Sequence, residues 1–327
     1  MTKKIIPDSE LIINPDGSVF HIHLRPAQLK DNIIVCGDPA RVNMIASYFD
    51  TIEYDVQSRE FHTIAGTYNG KPVMALSHGI GSDNIDIVIT ELDALANIDF
   101  ETRTVKDKHR ALNIVRIGTS GGLQPYVPVG TPVIAAKSLG FDGVLNYYAG
   151  RNENCDLEFE KKFCEFVKWN PLFAKPYVVE SDPGLVEKIG RDDMVRGYTI
   201  SAVGFYGPQG REVRLPLAEP ELNKRIEQFE YEGGHITNYE MESAALQGMA
   251  KMMGHHAITI CSIIANRVAT SANPNYKTAV NDLVQTVLER LVLTVERFDV
   301  EVRCVLVEPT YFVSNEEGPH FLTIRTI

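Results

Sequence analysis

Long apolar runs are missing from this 327-residue sequence, and no stretch is long and apolar enough to span a bilayer. Lys3 and Lys4 are not followed by a continuous apolar segment, so the N-terminal region lacks the layout of a secretion signal. Basic residues are few beside acidic ones: 32 Lys and Arg stand against 43 Asp and Glu, a net charge of -11 at pH 7. Nucleic acid or an anionic membrane would need a broad basic face, so neither is an expected partner, and any anionic ligand must meet a local cluster of arginines. The five cysteines (Cys36, Cys155, Cys164, Cys261, Cys304) are odd in number and show no paired metal-ligand spacing. Reduced thiols in a cytoplasmic protein are the expectation. His255-His256 and His21-x-His23 likewise lack the carboxylate or cysteine companions of a zinc site, so no metal is expected. No internal repeat, low-complexity tract or Pro/Gly/Ser-rich linker marks a boundary, and one domain is the simpler expectation.

What is present is 44% hydrophobic residues, enough for a large core, distributed in short runs. Strand-length runs lie at Asn32 to Cys36, Pro72 to Ser77, Leu112 to Ile117, Val133 to Ala136, Tyr198 to Val203 and Ala257 to Ile264. Between them, Ile85, Val88, Ile89, Leu92 and Leu95 recur at spacings of three and four and predict an amphipathic helix. Strands alternating with helices predict an α/β fold with a mostly parallel sheet covered on both faces, and ligands then sit at the carboxyl ends of strands. Thr278 to Phe298 reads as a long final helix, with strands at Val300 to Val307 and Phe321 to Ile327.

The loops after these strands hold the candidate chemistry. In Gly37-Asp38-Pro39-Ala40-Arg41 a glycine turn leads to a proline suited to the first helical position, and the backbone amides there are placed to receive an anion. A well-capped helix with a solvated arginine is the plainer reading of that segment alone. Arg116-Ile117-Gly118-Thr119-Ser120-Gly121-Gly122 ends a strand with a guanidinium, hydroxyls and three glycines, a donor set suited to phosphate oxygens. It has no Walker lysine and no GxGxxG spacing. Arg59, in Ser58-Arg59-Glu60-Phe61, reads by itself as a surface charge. Glu240-Met241-Glu242-Ser243 opens a helical segment: two acids there complement the helix dipole, or one of them accepts from the vicinal hydroxyls of a ribose. Phe205-Tyr206-Gly207-Pro208-Gln209-Gly210-Arg211 reads as a polar turn, or as a turn whose Gln209 amide matches one edge of a pyrimidine. Ser77-His78 is a poor nucleophile and base, because neighbours on a strand point to opposite faces.

Taken together, the order of these segments resembles the uridine phosphorylases of the nucleoside phosphorylase superfamily, from about Phe20 to Phe298. The resemblance implies a three-layer sandwich with a central mixed, mostly parallel, twisted sheet over residues 1–298, and leaves 299–327 as a tail without a counterpart. It implies phosphate binding by Gly37, Arg41, Arg116 and Thr119, with Arg59 supplied by a neighbouring subunit. Ribose would be held by Met241 and Glu242, with His21, rather than His23, reaching across the interface. Phe205 would pack on the nucleoside while Gln209 and Arg211 read the uracil edge. Where purine-specific relatives place an aspartate after the late strand, this chain has Asn266-Arg267, and Arg267 suits a pyrimidine carbonyl. The implied reaction uses inorganic phosphate as co-substrate and no cofactor. Arg116, Glu242 and Arg211 would carry catalysis by holding phosphate, stabilising the ribosyl cation and stabilising the departing uracil. A homodimer or dimer-based oligomer with shared sites is expected, and the basic stretch Phe100 to Ala111, longer than in that family, bears on assembly. At this level a phosphorylase or hydrolase acting on another base, or a non-catalytic nucleoside-binding relative, stays open.

Overall fold

A computed structural model describes residues 3–266, 271–272 and 276–293 of the protein. Arg267, the part of the expected final helix beyond residue 293, and the strands expected after it lie outside the described residues. The first half of the chain forms β1 (Asn32–Cys36), α1 (Pro39–Ala46), β2 (Thr51–Ser58), β3 (Phe61–Tyr68), β4 (Lys71–Ser77), α2 (Ser82–Asn97) and the short pair β5 (Ile98–Asp99) and β6 (Thr104–Val105). Next come β7 (Asn113–Gly122), β8 (Pro132–Gly140), α3 (Arg151–Asn154), α4 (Leu157–Val167), β9 (Tyr177–Glu180), α5 (Pro183–Gly190) and β10 (Val195–Ser201). The remainder is α6 (Leu222–Gln228), β11 (Glu230–Tyr231), β12 (Gly234–Glu240), α7 (Ser243–Met252), β13 (His256–Asn266), β14 (Ser271–Ala272) and α8 (Lys277–Val292).

The result is an α/β fold around a mixed sheet in the order β11-β12-β10-β8-β13-β7-β1-β4-β3-β2. Strand alternation sorts the apolar residues into two cores. β1 sends Ile33 and Val35 to a core shared with α2 and α7, and Ile34 and Cys36 to a core shared with α1, α5 and α8. Helices therefore cover both faces, as the near-continuous apolar strands require.

Among the described residues, parallel pairing is confined to β1–β4, β1–β7, β7–β13, β8–β10 and β10–β12. The β2–β3–β4 meander, β8–β13 and β8–β9 are antiparallel. β12 also pairs antiparallel with the far end of β7, through Asn238–Gly122 and Tyr239–Gly121, so β12, β10, β8, β13 and β7 close on themselves as in a small barrel. That closure corrects the expectation that β7 gives way to a loop after Ile117: the strand runs on through its glycines to Gly122. Gly118 has a packing reason to lack a side chain, since a Cβ there would stand 2.6 Å from Arg116 Nη1 and 2.8 Å from Cys261 Sγ.

The basic stretch between α2 and β7 acts as a set of staples. Arg103 Nε donates to the Ile6 carbonyl at 2.7 Å, Lys106 Nζ to the Ala96 carbonyl at the end of α2 at 2.9 Å, and Arg110 Nε to Asp31 at 2.7 Å. Lysine at a helix C-terminus meets carbonyls that have no intrahelical donor.

Candidate active site

The site is organised around Arg116, which β7 carries into the interior beside the ends of β4 and β12. Its guanidinium is buried, with Nη1 2.9 Å from Glu240 and Nη2 bonded to Glu242. Nε donates to His78 Nε2 at 3.3 Å, and Nη1 also faces Cys261 Sγ at 3.5 Å. Burial opposes the arginine's charge, but Glu242 and then Glu240 outweigh it, so its pKa is raised and it stays a cation. Burial, foremost, pushes the Glu242 carboxyl above the usual range; Arg116 pulls it down and Glu240 pushes it up. Burial also drives the Cys36 and Cys261 thiols up to about 12, so both are neutral thiols at physiological pH.

Glu240 does more than complement a dipole. β12 runs to Glu240 and α7 starts only at Ser243, so the two acids flank the strand-to-helix turn rather than lying inside a helix. The Glu240 carboxylate accepts from the Glu242 and Ser243 amides at 2.9 and 3.0 Å and from the Ser201 hydroxyl at 2.6 Å, satisfying orphan donors of the first helical turn. Glu242 in turn accepts from the Gly81 amide at 2.8 Å, which ties it to the loop between β4 and α2. Met241, half-buried, sits between the two acids.

The Gly37 turn has its expected form: Asp38 caps α1 by accepting from the Ala40 amide at 2.9 Å, and Pro39 takes the first helical position. Arg41 is not a solvated charge, because its Nη1 donates to the Ile117 carbonyl of β7 at 3.0 Å. Thr119 is half-exposed, and alternation along β7 puts it on the face of Ile117, opposite Arg116. Ser77 is structural: its hydroxyl donates to the Glu60 carbonyl at 2.6 Å and accepts from the His62 amide at 2.8 Å.

A second group lies together on the same chain. His21 Nδ1 stands 2.6 Å from Glu91 of α2, which also accepts from the His21 and Ile22 amides. The exposed Arg59, in the β2–β3 turn at φ 55°, places its guanidinium 5.9 Å from the Phe20 ring, which itself packs edge-on against His21. His23 is exposed and takes no part in this group.

The turn from Phe205 to Arg211 forms a third. Arg211 stacks 3.8 Å over the Phe205 ring and donates to Gln209 Oε1 at 2.6 Å. Gln209 is buried while Phe205 is half-exposed. Behind the turn a cavity of about 780 Å³ is walled by Phe141, Trp169, Phe173, Leu215 and Leu217, with Arg211 at its edge. Asn266 closes the other side of the sheet end, donating to the Gln124 and Val127 carbonyls at 2.9 Å each.

Asp93, His109 and His255 gather near the end of α2, with ligand-type atoms within 4.8 Å of one another. The Leu112 amide donates to His255 Nδ1 at 3.2 Å, which leaves the ring proton on Nε2, facing Asp93 at 3.2 Å. Without a lone pair on Nε2 the trio reads as an imidazole close to a carboxylate with a stacked neighbour, not a metal cage.

Sequence reasoning missed the roles of Glu240's neighbours Ser201 and Ser243 and of the loop from His78 to Gly81. Their signal was conformational, two glycines around one exposed Ile80, rather than chemical.

Residues 31–298 match the phosphorylase superfamily, and the chain belongs to that family. Among curated relatives it is 32% identical to uridine phosphorylase of Escherichia coli, over 80% of this chain and 91% of that one. It is 30% identical to uridine phosphorylase of Haemophilus influenzae, over 77% and 87%. Among solved structures, a Trypanosoma brucei nucleoside phosphorylase with uridine phosphorylase activity superposes with a TM-score of 0.79 at 27% identity, covering 86% of this chain and 99% of that one.

Proposed function

We infer that the protein is a pentosyltransferase that cleaves uridine with inorganic phosphate, giving uracil and ribose 1-phosphate. The observation that carries this reading is the buried Arg116–Glu242 pair beside the Gly37 turn: a fixed cation and a fixed carboxylate, side by side, match an anion and a polyol held next to each other.

In this reading phosphate binds at the Gly37 amide, Arg41, Thr119 and Arg116, joined by Arg59 of a second subunit. Three of the five Arg116 N–H groups go to His78, Glu240 and Glu242 and a fourth faces Cys261, so one N–H on Nη2 is left for phosphate. Arg116 then serves chiefly to orient Glu242, and Arg41 and Arg59 supply most of the neutralising charge. Glu242 with Met241 holds the ribose and favours the cation that develops on it, and His21 of the second subunit reaches the 5′-hydroxyl. Phosphate attacks the opposite face as the C1′–N1 bond breaks, while Arg211 and Gln209 stabilise the uracil leaving group and Phe205 packs on it. Arg267 would face a pyrimidine carbonyl. Catalysis by placed charges and proximity needs no cofactor and no metal.

The same reading takes the architecture as a three-layer sandwich, supported by the two cores on opposite faces of β1. It places the enzyme in the cytoplasm, in keeping with free thiols at Cys36, Cys155, Cys164 and Cys261 and with no described helix long and apolar enough to cross a membrane.

The test is release of uracil from uridine with and without phosphate. Release that requires phosphate and yields ribose 1-phosphate upholds the reading, whereas equal release without phosphate makes the protein a hydrolase. Shared sites are tested by pairing an Arg59→Ala chain with a Glu242→Gln chain in tagged heterodimers. One pocket collects both defects and the other is whole, so about half the wild-type activity should return. Heterodimers as inactive as both parents would remove Arg59 from the neighbouring pocket.

A further inference from the structure

His78 follows the last residue of β4 with its side chain fully buried, in a loop that meets Arg116 through His78 and Glu242 through the Gly81 amide. Its ring is fixed on one edge by Arg116. Because Nε of an arginine only donates, the bond from Arg116 Nε at 3.3 Å makes His78 Nε2 the acceptor. A neutral ring that accepts at Nε2 carries its proton on Nδ1. Neutrality is expected here: burial foremost, and then the Arg116 charge, hold the pKa well below the ordinary histidine value, opposed by a hydrogen-bonding contact with the Gly79 backbone and with a further push from Arg41. Nδ1 is nevertheless buried without a hydrogen bond of acceptable geometry to any described residue. An unmet buried donor is destabilising, so its acceptor is expected to arrive with a ligand.

The position of the ring says which ligand. A Cβ on Gly37 would stand 3.8 Å from His78 Cε1, the carbon between the two ring nitrogens, and 3.0 Å from the Gly79 carbonyl oxygen. Gly37 therefore lies beside the edge of the ring that carries its nitrogens, Arg116 holds Nε2 on that edge, and the charge of Arg41 reaches it. We propose that His78 is a phosphate-binding residue, whose Nδ1–H donates to an oxygen of the inorganic phosphate lodged between the Gly37 turn and Arg116. It deepens the phosphorolysis reading and rests on it. Sequence inspection treats His78 only as a failed partner for Ser77; the tautomer that Arg116 imposes is what turns it toward the anion.

Two isosteric replacements separate the two ring nitrogens. In His78→Asn the amide nitrogen falls near the place of Nδ1, whereas in His78→Gln it falls near that of Nε2. If Nδ1–H binds phosphate, His78→Asn keeps the phosphate KM within about threefold, and His78→Gln raises it roughly 10- to 100-fold, the range for a hydrogen bond to a charged group, with the uridine KM little changed. Wild-type phosphate KM in both variants overturns the proposal. So does retention by Gln with loss by Asn, which would mean that His78 acts only by orienting Arg116, and so does a rise in the uridine KM alone. Should either variant fail to fold, the wild-type enzyme labelled with ¹⁵N-histidine is titrated with phosphate: a shift of one histidine Nδ1–H resonance that saturates with binding supports the contact, and its absence refutes it. Phosphate binding is measured calorimetrically in the same series. Phosphate that binds while uridine is not cleaved would sink the phosphorolysis reading and leave the histidine contact standing, so the two failures are distinguishable.

Discussion

Two ends of the candidate site are built on different principles. At the proposed phosphate and ribose end, Arg116, Glu240, Glu242 and His78 are buried on or beside strand ends and joined to one another through the Arg116 guanidinium. At the base end, Phe205 and Arg211 stand in a turn between β10 and α6, half in solvent, and Arg211 leans on its own turn. The first end cannot be altered without disturbing the core, whereas the second is a loop on a scaffold, free to vary with the base it reads. Stability and catalysis should therefore be coupled at one end and separable at the other.

The largest effect should come from Arg116→Ala. It strands two buried carboxylates, and breaking a buried pair costs about 3–5 kcal/mol, so denaturant unfolding should show that loss together with near-complete loss of uridine cleavage. A variant that loses activity but melts like the wild type would show the carboxylates to be indifferent to Arg116 and would break the comparison.

Next, Arg211→Ala should lower kcat for uridine roughly 100- to 1000-fold, the usual cost of removing a donor from developing negative charge, with the phosphate KM and the melting temperature nearly unchanged. Loss of phosphate affinity alone would mean that Arg211 does not act on the leaving group.

Asn266→Asp sharpens the comparison from between the two ends. An aspartate here should not by itself produce purine cleavage, because Asn266 Nδ2 donates to two backbone carbonyls and a carboxylate would face both without a proton. Destabilisation of about 1–3 kcal/mol is expected, with no efficient inosine cleavage. Rapid inosine turnover by this single variant would refute that account of base choice.

The contrast also governs what could be read from the sequence. β1, β4 and α2 were legible because local pattern and burial agree: β1 occupies the expected Asn32 to Cys36, and the predicted apolar face of α2 is buried. The β2–β3 hairpin went unread although Ile52, Tyr54 and Val56 alternate, since Ile52 faces solvent and the signal is weak. The glycine turn before α1 and the Gly207–Gln209 turn were visible as turn chemistry. Interlocking contacts were not. Gly81 meets Glu242 across 161 residues and Arg116 meets Glu242 across 126, and the closure of β12 on β7 that brings them together has no local pattern.

The smallest effect tests how the loose end is hung from the rigid one. Tyr239 lies on β12 directly before Glu240, and its buried ring donates through the hydroxyl to Asn223 Oδ1 at 3.0 Å. Asn223 Nδ2 passes the connection on to the Gln209 carbonyl at 3.1 Å. Tyr239→Phe keeps the ring in its core and removes one hydrogen bond, a loss of about 0.5–1.5 kcal/mol. If that bond steadies the base turn, the uridine KM should rise about three- to tenfold while the phosphate KM stays put, because Glu240 and Arg116 keep their partners. Equal changes in both constants would mean that the strand itself has moved and that the two ends of the site are not separable. A wild-type uridine KM would mean that the turn holds its shape without the tyrosine, leaving the stacking of Arg211 on Phe205 as what orders it.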